Sequence, residues 1–160
     1  MTRKATESDL PFIYDLYMHP QVNPHLLYEK MELVQFQPIY QDLLKDEVKY
    51  IFEDNQQAVG MFKLIPLKHR NSHIAYLGGV GIHPSYSGRG LGEKMLRAAV
   101  NLAEEKGFKR IELSVGTANE KAINLYKKVG FEEEGVLRKF THLKSEGRFI
   151  DEMLMSYISV

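Results

Sequence analysis

Three glycines and an arginine near the middle of the chain form a pattern that suits an anion. Residues 80–96 read VGIHPSYSGRGLGEKML, and Gly88, Gly90 and Gly92 lead directly into a helical pattern. Glycines leave backbone N–H groups unshielded, and the first turn of a helix adds unpaired donors and the positive end of its dipole. Arg89 adds a cation beside them. These residue types in this order predict a site for a pyrophosphate group.

Two common phosphate-binding motifs do not match this stretch. A Walker A loop requires Gly-Lys-Ser/Thr at the helix start, whereas the chain has Gly92-Glu93-Lys94. The dinucleotide fingerprint requires G-x-G-x-x-G, whereas the chain has G-x-G-x-G. From the loop alone, a glycine-rich turn with only a packing role remains the alternative.

Strand and helix patterns alternate around this loop. Ile74–Ile82 is predicted as a strand with a bulge at Gly78-Gly79, and the clearest helix follows at residues 91–106. The other predicted helices are residues 8–18, 33–44 and 119–129, the second interrupted or started at Pro38. The other predicted strands are residues 3–5, 49–53, 58–67, 109–115, 131–143 and 148–158, with a turn at Asp54-Asn55 and a terminal hairpin. This order predicts an α/β (α+β) fold, with one domain over residues 1–160 and a mixed, mostly antiparallel sheet of about seven strands beside about four helices.

Composition narrows the classes of function. The chain has 21 basic and 21 acidic residues, which argues against non-specific nucleic-acid or membrane-surface binding as its main task. It has no cysteine, so disulfides, thiolate zinc sites and a cysteine acyl-enzyme are excluded. The first ten residues lack the apolar core of a signal peptide, and no apolar run approaches ~20 residues. A cytoplasmic protein is therefore expected.

Two motifs together resemble a known family. The stretch from Ile82 to Gly92, IHPSYSGRGLG, is similar to V-x-P-x-x-R/Q-G-x-G-I/L-G of the GNAT superfamily of acetyl-CoA-dependent N-acetyltransferases. The stretch from Asn119 to Phe131, NEKAINLYKKVGF, is similar to the family's N-x-x-A-x-x-L/F-Y-x-K/R-x-G-F. One helix and one strand lie between the two motifs, as in the family. The resemblance extends over residues 3–156 and implies an acetyltransferase of the GNAT fold.

The resemblance also implies roles for particular residues, with acetyl-CoA as acyl donor and no metal. Backbone groups of residues 80–82 would pair with the pantetheine arm. The arm would lie in an opening where the predicted strand Ile74–Ile82 separates from the predicted strand at residues 109–115. The N–H of Val80 would point at the thioester oxygen, where negative charge develops. Backbone groups of residues 88–92 would hold the pyrophosphate. The implied cofactor-binding residues are Val80, Gly81, Ile82, Ser87, Gly88, Arg89, Gly90, Leu91, Gly92, Asn119 and Tyr126, and the implied catalytic residues are Tyr126 and Val80.

Asn119 and Tyr126 are seven residues apart on a predicted helix, so they project from nearly the same face, ~10 Å apart along the axis. By the resemblance, Asn119 would contact the pantetheine and Tyr126 would protonate the departing thiolate. A phenol with a pKa of ~10 and a thiol with a pKa of ~8.5 make that transfer uphill by only ~2 kcal/mol. The alternatives are an N-cap role for Asn119 and a core position for Tyr126.

One position departs from the family pattern. Ser87 stands where the family usually has Arg or Gln. The backbone donors of the loop remain, so CoA binding is expected to survive this change, in weakened form at most.

The sequence does not select the acceptor or the group that takes its proton. The candidate bases are Tyr76, His83, Glu112, Glu32 and His25. The predicted partner is a primary amine, as a small amine, an amino acid or a protein N-terminus, with neither nucleic acid nor membrane and with a homodimer as one option for assembly. Because there is no cysteine, the amine is expected to attack directly in a ternary complex. A non-catalytic acyl-CoA-binding module is the alternative function.

Overall fold

A seven-stranded sheet forms the centre of the computed structural model, which describes residues 1–160. The strands are β1 Thr2–Lys4, β2 Lys49–Asp54, β3 Gln57–Pro66, β4 Ile74–Ile82, β5 Arg110–Gly116, β6 Glu132–Leu143 and β7 Arg148–Ile158. The helices are α1 Leu10–Met18, α2 Leu33–Lys45, α3 Leu91–Glu105 and α4 Glu120–Val129. The strand order is β1-β2-β3-β4-β5-β7-β6, and only β4 and β5 are parallel neighbours. The predicted fold class is therefore confirmed. None of the helices combines the length and the apolar character that crossing a membrane requires.

The sheet is covered by helices on both faces. Side chains alternate along each strand, so Tyr50 and Phe52 of β2 face α3 and α4, while Ile51 faces α1 and α2. We call these the α3 face and the α1 face. Each face has its own buried core, and Met95 of α3 and Phe36 of α2 are among the fully buried side chains. Burial of both faces fixes the register of the strands that hold the site.

Several predicted boundaries differ from the observed ones. Pro38 lies inside α2, so the prediction that it interrupts or starts this helix was wrong. A proline lacks the N–H that would reach the carbonyl of Val34, but Val34 is 76% exposed and water can satisfy that carbonyl. The turn between β2 and β3 is Asn55-Gln56, one residue later than predicted, with φ of 49° and 65° as in a type I′ hairpin.

Candidate functional site

A gap opens in the middle of the sheet, between β4 and β5. These strands pair only where Ile74, Ala75 and Tyr76 face residues 110–112. Beyond Tyr76, β4 stays paired with β3 and β5 stays paired with β7, so the two strands diverge. The Tyr76 hydroxyl lies 3.1 Å from that of Ser114 at the start of the gap. Backbone groups of β4 on this side are left available to a ligand.

A bulge is present in β4 at the gap, one residue later than the predicted Gly78-Gly79. Gly78 pairs with Lys63 and Gly81 pairs with Met61, so Gly79 and Val80 together oppose a single residue of β3. Gly79 has a φ of 55°, which favours glycine. The bulge gives the peptide between Gly79 and Val80 an orientation that regular pairing would not allow.

The glycine loop follows β4 and leads into α3, as the sequence predicts. Gly88 and Gly90 have φ of 77° and 71°, and a Cβ on either would meet nothing within 4 Å. The first helical N–H to find a partner is that of Lys94, which donates to Gly90 O at 3.3 Å. The N–H groups of the preceding first turn therefore face an open, exposed loop. This is the geometry of an anion site.

Most of the other residues that the resemblance assigns to cofactor binding can contact a ligand only through their backbone groups. The side chains of Val80, Ile82 and Leu91 pack against the core of the α3 face. A Cβ on Gly92 would lie 3.3 Å from Leu125 of α4, so this glycine allows the two helices to pack closely. A Cβ on Gly81 would lie 3.3 Å from Val22. Gly92 therefore has a packing role in addition to any contact with a ligand.

The charges near the loop do not oppose an anion. Arg89 is exposed and lies over the Tyr86 ring, with its guanidinium carbon 5.7 Å from the ring centroid. Glu93, in the first turn of α3, is paired with Lys128 at 2.8 Å and Arg97 at 3.0 Å. Hydrogen bonds from these two cations lower the pKa of Glu93. The carboxylate closest to the loop along the chain is thus turned toward two cations.

Ser87 is used within its own turn. Its hydroxyl donates to Pro84 O at 2.8 Å, and the side chain is exposed. We expect Ser87→Arg to leave the Kd for acetyl-CoA within about threefold of the parent or to tighten it, because an exposed charge contact contributes at most about 1 kcal/mol. Titration calorimetry checks this, and a large loss of affinity would show that Ser87 has a specific role in binding.

Tyr126 lies on α4, half-buried, with its ring against Phe131 at 5.9 Å between centroids. Burial and the nearby Tyr76 raise the pKa of Tyr126 to about 12. The difference between this pKa and the ~8.5 of a thiol makes proton transfer from Tyr126 to the thiolate uphill by about 5 kcal/mol. This is more than the ~2 kcal/mol expected from the sequence. No hydrogen bond within the chain contributes to this shift, and since every fully buried side-chain oxygen has a partner, the Tyr126 hydroxyl is open to solvent. It is therefore a free hydrogen-bond donor and a weaker acid than an exposed phenol.

Asn119 is the N-cap of α4. An N-cap role was the alternative to a contact with the pantetheine in the sequence analysis. Its side-chain oxygen accepts from the Ala122 N–H at 3.3 Å. Its amide nitrogen lies 3.5 Å from Nδ1 of His25, a residue of the segment between α1 and α2. Capping uses only the oxygen and the His25 contact involves one amide hydrogen, so the other hydrogen is available for a ligand.

The five candidate bases differ in what they contact. The imidazole of His83 lies between Asp15 of α1, 2.8 Å from Nε2, and the Ser85 N–H, which donates to Nδ1 at 3.2 Å. Glu112 accepts from Arg110 at 2.8 Å. Glu32 is exposed at the start of α2. His83 therefore ties α1 to the glycine loop, while Tyr76 and its cross-strand partner Glu112 both lie at the start of the gap.

Two buried lysines on the α1 face were missed by the sequence reasoning. Lys49 and Lys63 are cross-strand partners on β2 and β3 and are 1% and 5% exposed. Nζ of Lys49 donates to the Tyr17 hydroxyl at 2.8 Å, and Nζ of Lys63 lies 3.5 Å from that of Tyr28. The available signal was a lysine inside an otherwise apolar strand, as in the run Met61-Phe62-Lys63-Leu64-Ile65.

The buried lysine predicts how stability depends on pH. Burial lowers the pKa of Lys49 well below its ordinary value, and Lys63 lowers it further. An unfolded lysine titrates near ~10.4, so between the two pKa values the unfolded chain binds one more proton. The contribution of Lys49 to the free energy of unfolding is therefore largest above pH ~10.4. It decreases as the pH falls toward the pKa of Lys49 in the folded protein. Just below pH ~10.4, we expect the parent's free energy of unfolding to rise with pH, and we expect this rise to be shallower in Lys49→Met. Urea unfolding of both proteins measures it, and equal slopes would mean that Lys49 stays charged.

The chain is similar to known proteins. The model of the acetyltransferase (GNAT) family matches residues 10–131. The spermidine N(1)-acetyltransferase of Escherichia coli (strain K12) is 28% identical over 143 residues, which cover 84% of this chain and 74% of that protein. A putative ribosomal protein bS18-alanine N-acetyltransferase of Bacillus subtilis (strain 168) is 38% identical over 66 residues, which cover 41% of this chain and 44% of that protein.

A solved structure extends the likeness to the whole fold. The spermidine N-acetyltransferase of Vibrio cholerae, in complex with CoA and spermine, has a TM-score of 0.85 at 25% identity and covers 99% of this chain and 94% of that one. The chain spans less than half the length of two curated relatives that it matches, 29% of one and 44% of the other. Because the family model matches most of the chain and the fold agrees, the protein belongs to the acetyltransferase (GNAT) family.

Proposed function

We propose that this protein transfers an acetyl group from acetyl-CoA to a primary amine. The observation that carries the proposal is the gap between β4 and β5, which has the bulge at Gly79 and Val80 on one wall. The glycine loop and the first turn of α3 follow at the end of β4. A long ligand with a diphosphate at one end and a thioester at the other matches this order of groups. The Vibrio structure that holds CoA supports the choice of donor.

The proposed reaction is direct attack by the amine in a ternary complex. The chain has no cysteine to carry the acyl group. The neutral amine attacks the thioester carbon, and the N–H of Val80 stabilises the negative charge that develops on the oxygen. The carbon–sulfur bond then breaks, and the hydroxyl of Tyr126 donates to the departing sulfur. The amine loses its proton to a base or a water chain at the start of the gap, where Tyr76 and Ser114 meet.

The proposed acceptor is a small amine, an amino acid or a protein N-terminus. The names of the relatives support this range, since one is named for spermidine and another for an alanine of ribosomal protein bS18. A cavity beside the α1 face is lined by residues 23–24, 26–30, 141–143 and 145–146. Glu29 bridges its two walls by accepting from the Lys144 N–H at 2.8 Å. We propose this cleft as the entrance for the acceptor.

An amine panel tests the proposal. CoA release from acetyl-CoA is followed in the presence of polyamines, amino acids and peptides with free N-termini, with N-acetylated versions of the same compounds as controls. Turnover with a free amine and none with its acetylated control is expected. Tight acetyl-CoA binding without turnover on any of them would instead favour a non-catalytic acyl-CoA-binding module.

A further inference from the structure

Lys49 contacts the bulge from beneath, on the α1 face of the sheet. Its Nζ lies 3.4 Å from the carbonyl oxygen of Gly79 and 2.8 Å from the Tyr17 hydroxyl. A Cβ on Gly79 would lie 2.9 Å from this nitrogen and 2.7 Å from the hydroxyl. The Lys49–Tyr17 pair therefore packs directly onto the Gly79 backbone, and only glycine leaves room for it.

Stability alone does not explain a lysine at this position. Lys49 is 1% exposed, and no carboxylate is paired with it. Burying an unpaired ammonium is expensive, so the amine is favoured in its neutral form, which still has one N–H for each of its two acceptors. An apolar side chain of similar length would avoid this desolvation. The amine is therefore better explained by the group that it contacts.

That group is one end of the peptide that carries the proposed oxyanion donor. The carbonyl of Gly79 and the N–H of Val80 belong to the same peptide, which is trans because the chain has no cis bonds. In a trans peptide the C=O and N–H point in opposite directions. With its oxygen facing Lys49, this peptide turns its N–H away from the Lys49 side of the bulge. Neither residue has a pairing partner on β3 that would otherwise fix this orientation.

We propose that Lys49 is a positioning residue for the acyl donor: by donating to the carbonyl of Gly79, its amine holds the Val80 N–H toward the thioester oxygen. The inference rests on the proposed function. A hydrogen bond to the carbonyl also polarises the peptide and strengthens its N–H as a donor. The benefit grows as negative charge develops in the transition state, so it affects kcat more than binding.

Lys49→Met tests this role, with Lys63→Met as a matched control. Lys63 is the other buried lysine of the same pair, and its Nζ is near Tyr28 instead of the Gly79 carbonyl. Its Cγ also lies against Gly79, 3.4 Å from a Cβ placed there, and methionine keeps that carbon. For Lys49→Met we expect kcat to fall about tenfold, less than for loss of an oxyanion donor itself, with the Kd for acetyl-CoA within about twofold. We also expect the ¹⁵N resonance of Val80 to move in the ligand-free protein. Lys63→Met should leave kcat within about twofold and that resonance unmoved.

The readouts separate the possible failures. An unmoved Val80 resonance with parental kcat in Lys49→Met, or equal effects of both variants, would overturn the inference. If the parent acetylates no amine while the Val80 resonance still moves, the proposed function fails and the Lys49–Gly79 contact stands. Should Lys49→Met not fold, because the Tyr17 hydroxyl is left unpaired, the double variant Tyr17→Phe/Lys49→Met removes both polar groups and is read in the same way.

Discussion

Gly90→Glu is expected to abolish acetyl-CoA binding, with a rise in Kd of at least about 100-fold. The substitution places a carboxylate at the N-cap of α3, where the proposed site holds two phosphates. Like charges brought together in this way oppose binding by several kcal/mol. A Cβ at Gly90 would meet nothing within 4 Å, so the substitution causes no steric clash at that atom. Titration calorimetry with acetyl-CoA measures the effect.

Gly107→Glu is the matched control for this substitution. Gly107 follows the other end of the same helix and has a φ of 91°, and a Cβ on it would also meet nothing within 4 Å. The backbone strain and the added charge are therefore similar in the two variants. The helix dipole favours the added carboxylate at Gly90 and opposes it at Gly107, so the control is the less stable variant, and urea unfolding of both shows that each is folded. We expect Gly107→Glu to bind acetyl-CoA as the parent does. If Gly90→Glu is folded and binds equally well, the diphosphate does not lie at this loop.

The sequence could predict the donor side of the site because its signals are local. The conformations of Gly88 and Gly90, the start of α3 and the bulge beside Gly78 depend on residues close in the chain. Glycine marks such positions because other residues rarely adopt positive φ. The alternation of apolar residues in β5 and the terminal hairpin were visible for the same reason.

The contacts across the sheet could not be predicted in this way. Lys49 and Tyr17 are 32 positions apart, and His83 and Asp15 are 68 apart. Which pairs meet depends on strand order, including the insertion of β7 between β5 and β6, which residue spacing does not determine. The same limit applies to Tyr126, whose raised pKa depends on burial and on Tyr76 from another element.

Tyr126→Phe is expected to lower kcat by about 10- to 100-fold while the Kd for acetyl-CoA stays within about twofold. The ring and its contact with Phe131 are kept, so α4 should pack as before. What is lost is a hydroxyl that is open to solvent, which we assign to the departing sulfur. Its high pKa makes full proton transfer costly, and a thiolate already leaves readily. The effect should therefore lie at or below the low end of general acid catalysis, as stabilisation of the thiolate by a hydrogen bond.

Tyr157→Phe provides the comparison for this result. Tyr157 also packs against Phe131, at 5.8 Å between centroids, and burial also raises its pKa. Its hydroxyl donates to Glu104 of α3, at 3.3 Å, and is therefore already used within the protein, so its loss should leave kcat within about twofold. The measurement is kcat with one active amine under conditions where chemistry limits turnover, beside calorimetric binding of acetyl-CoA to each folded variant. If Tyr126→Phe also stays within about twofold, Tyr126 is a packing residue of α4 and the thiolate leaves without its help.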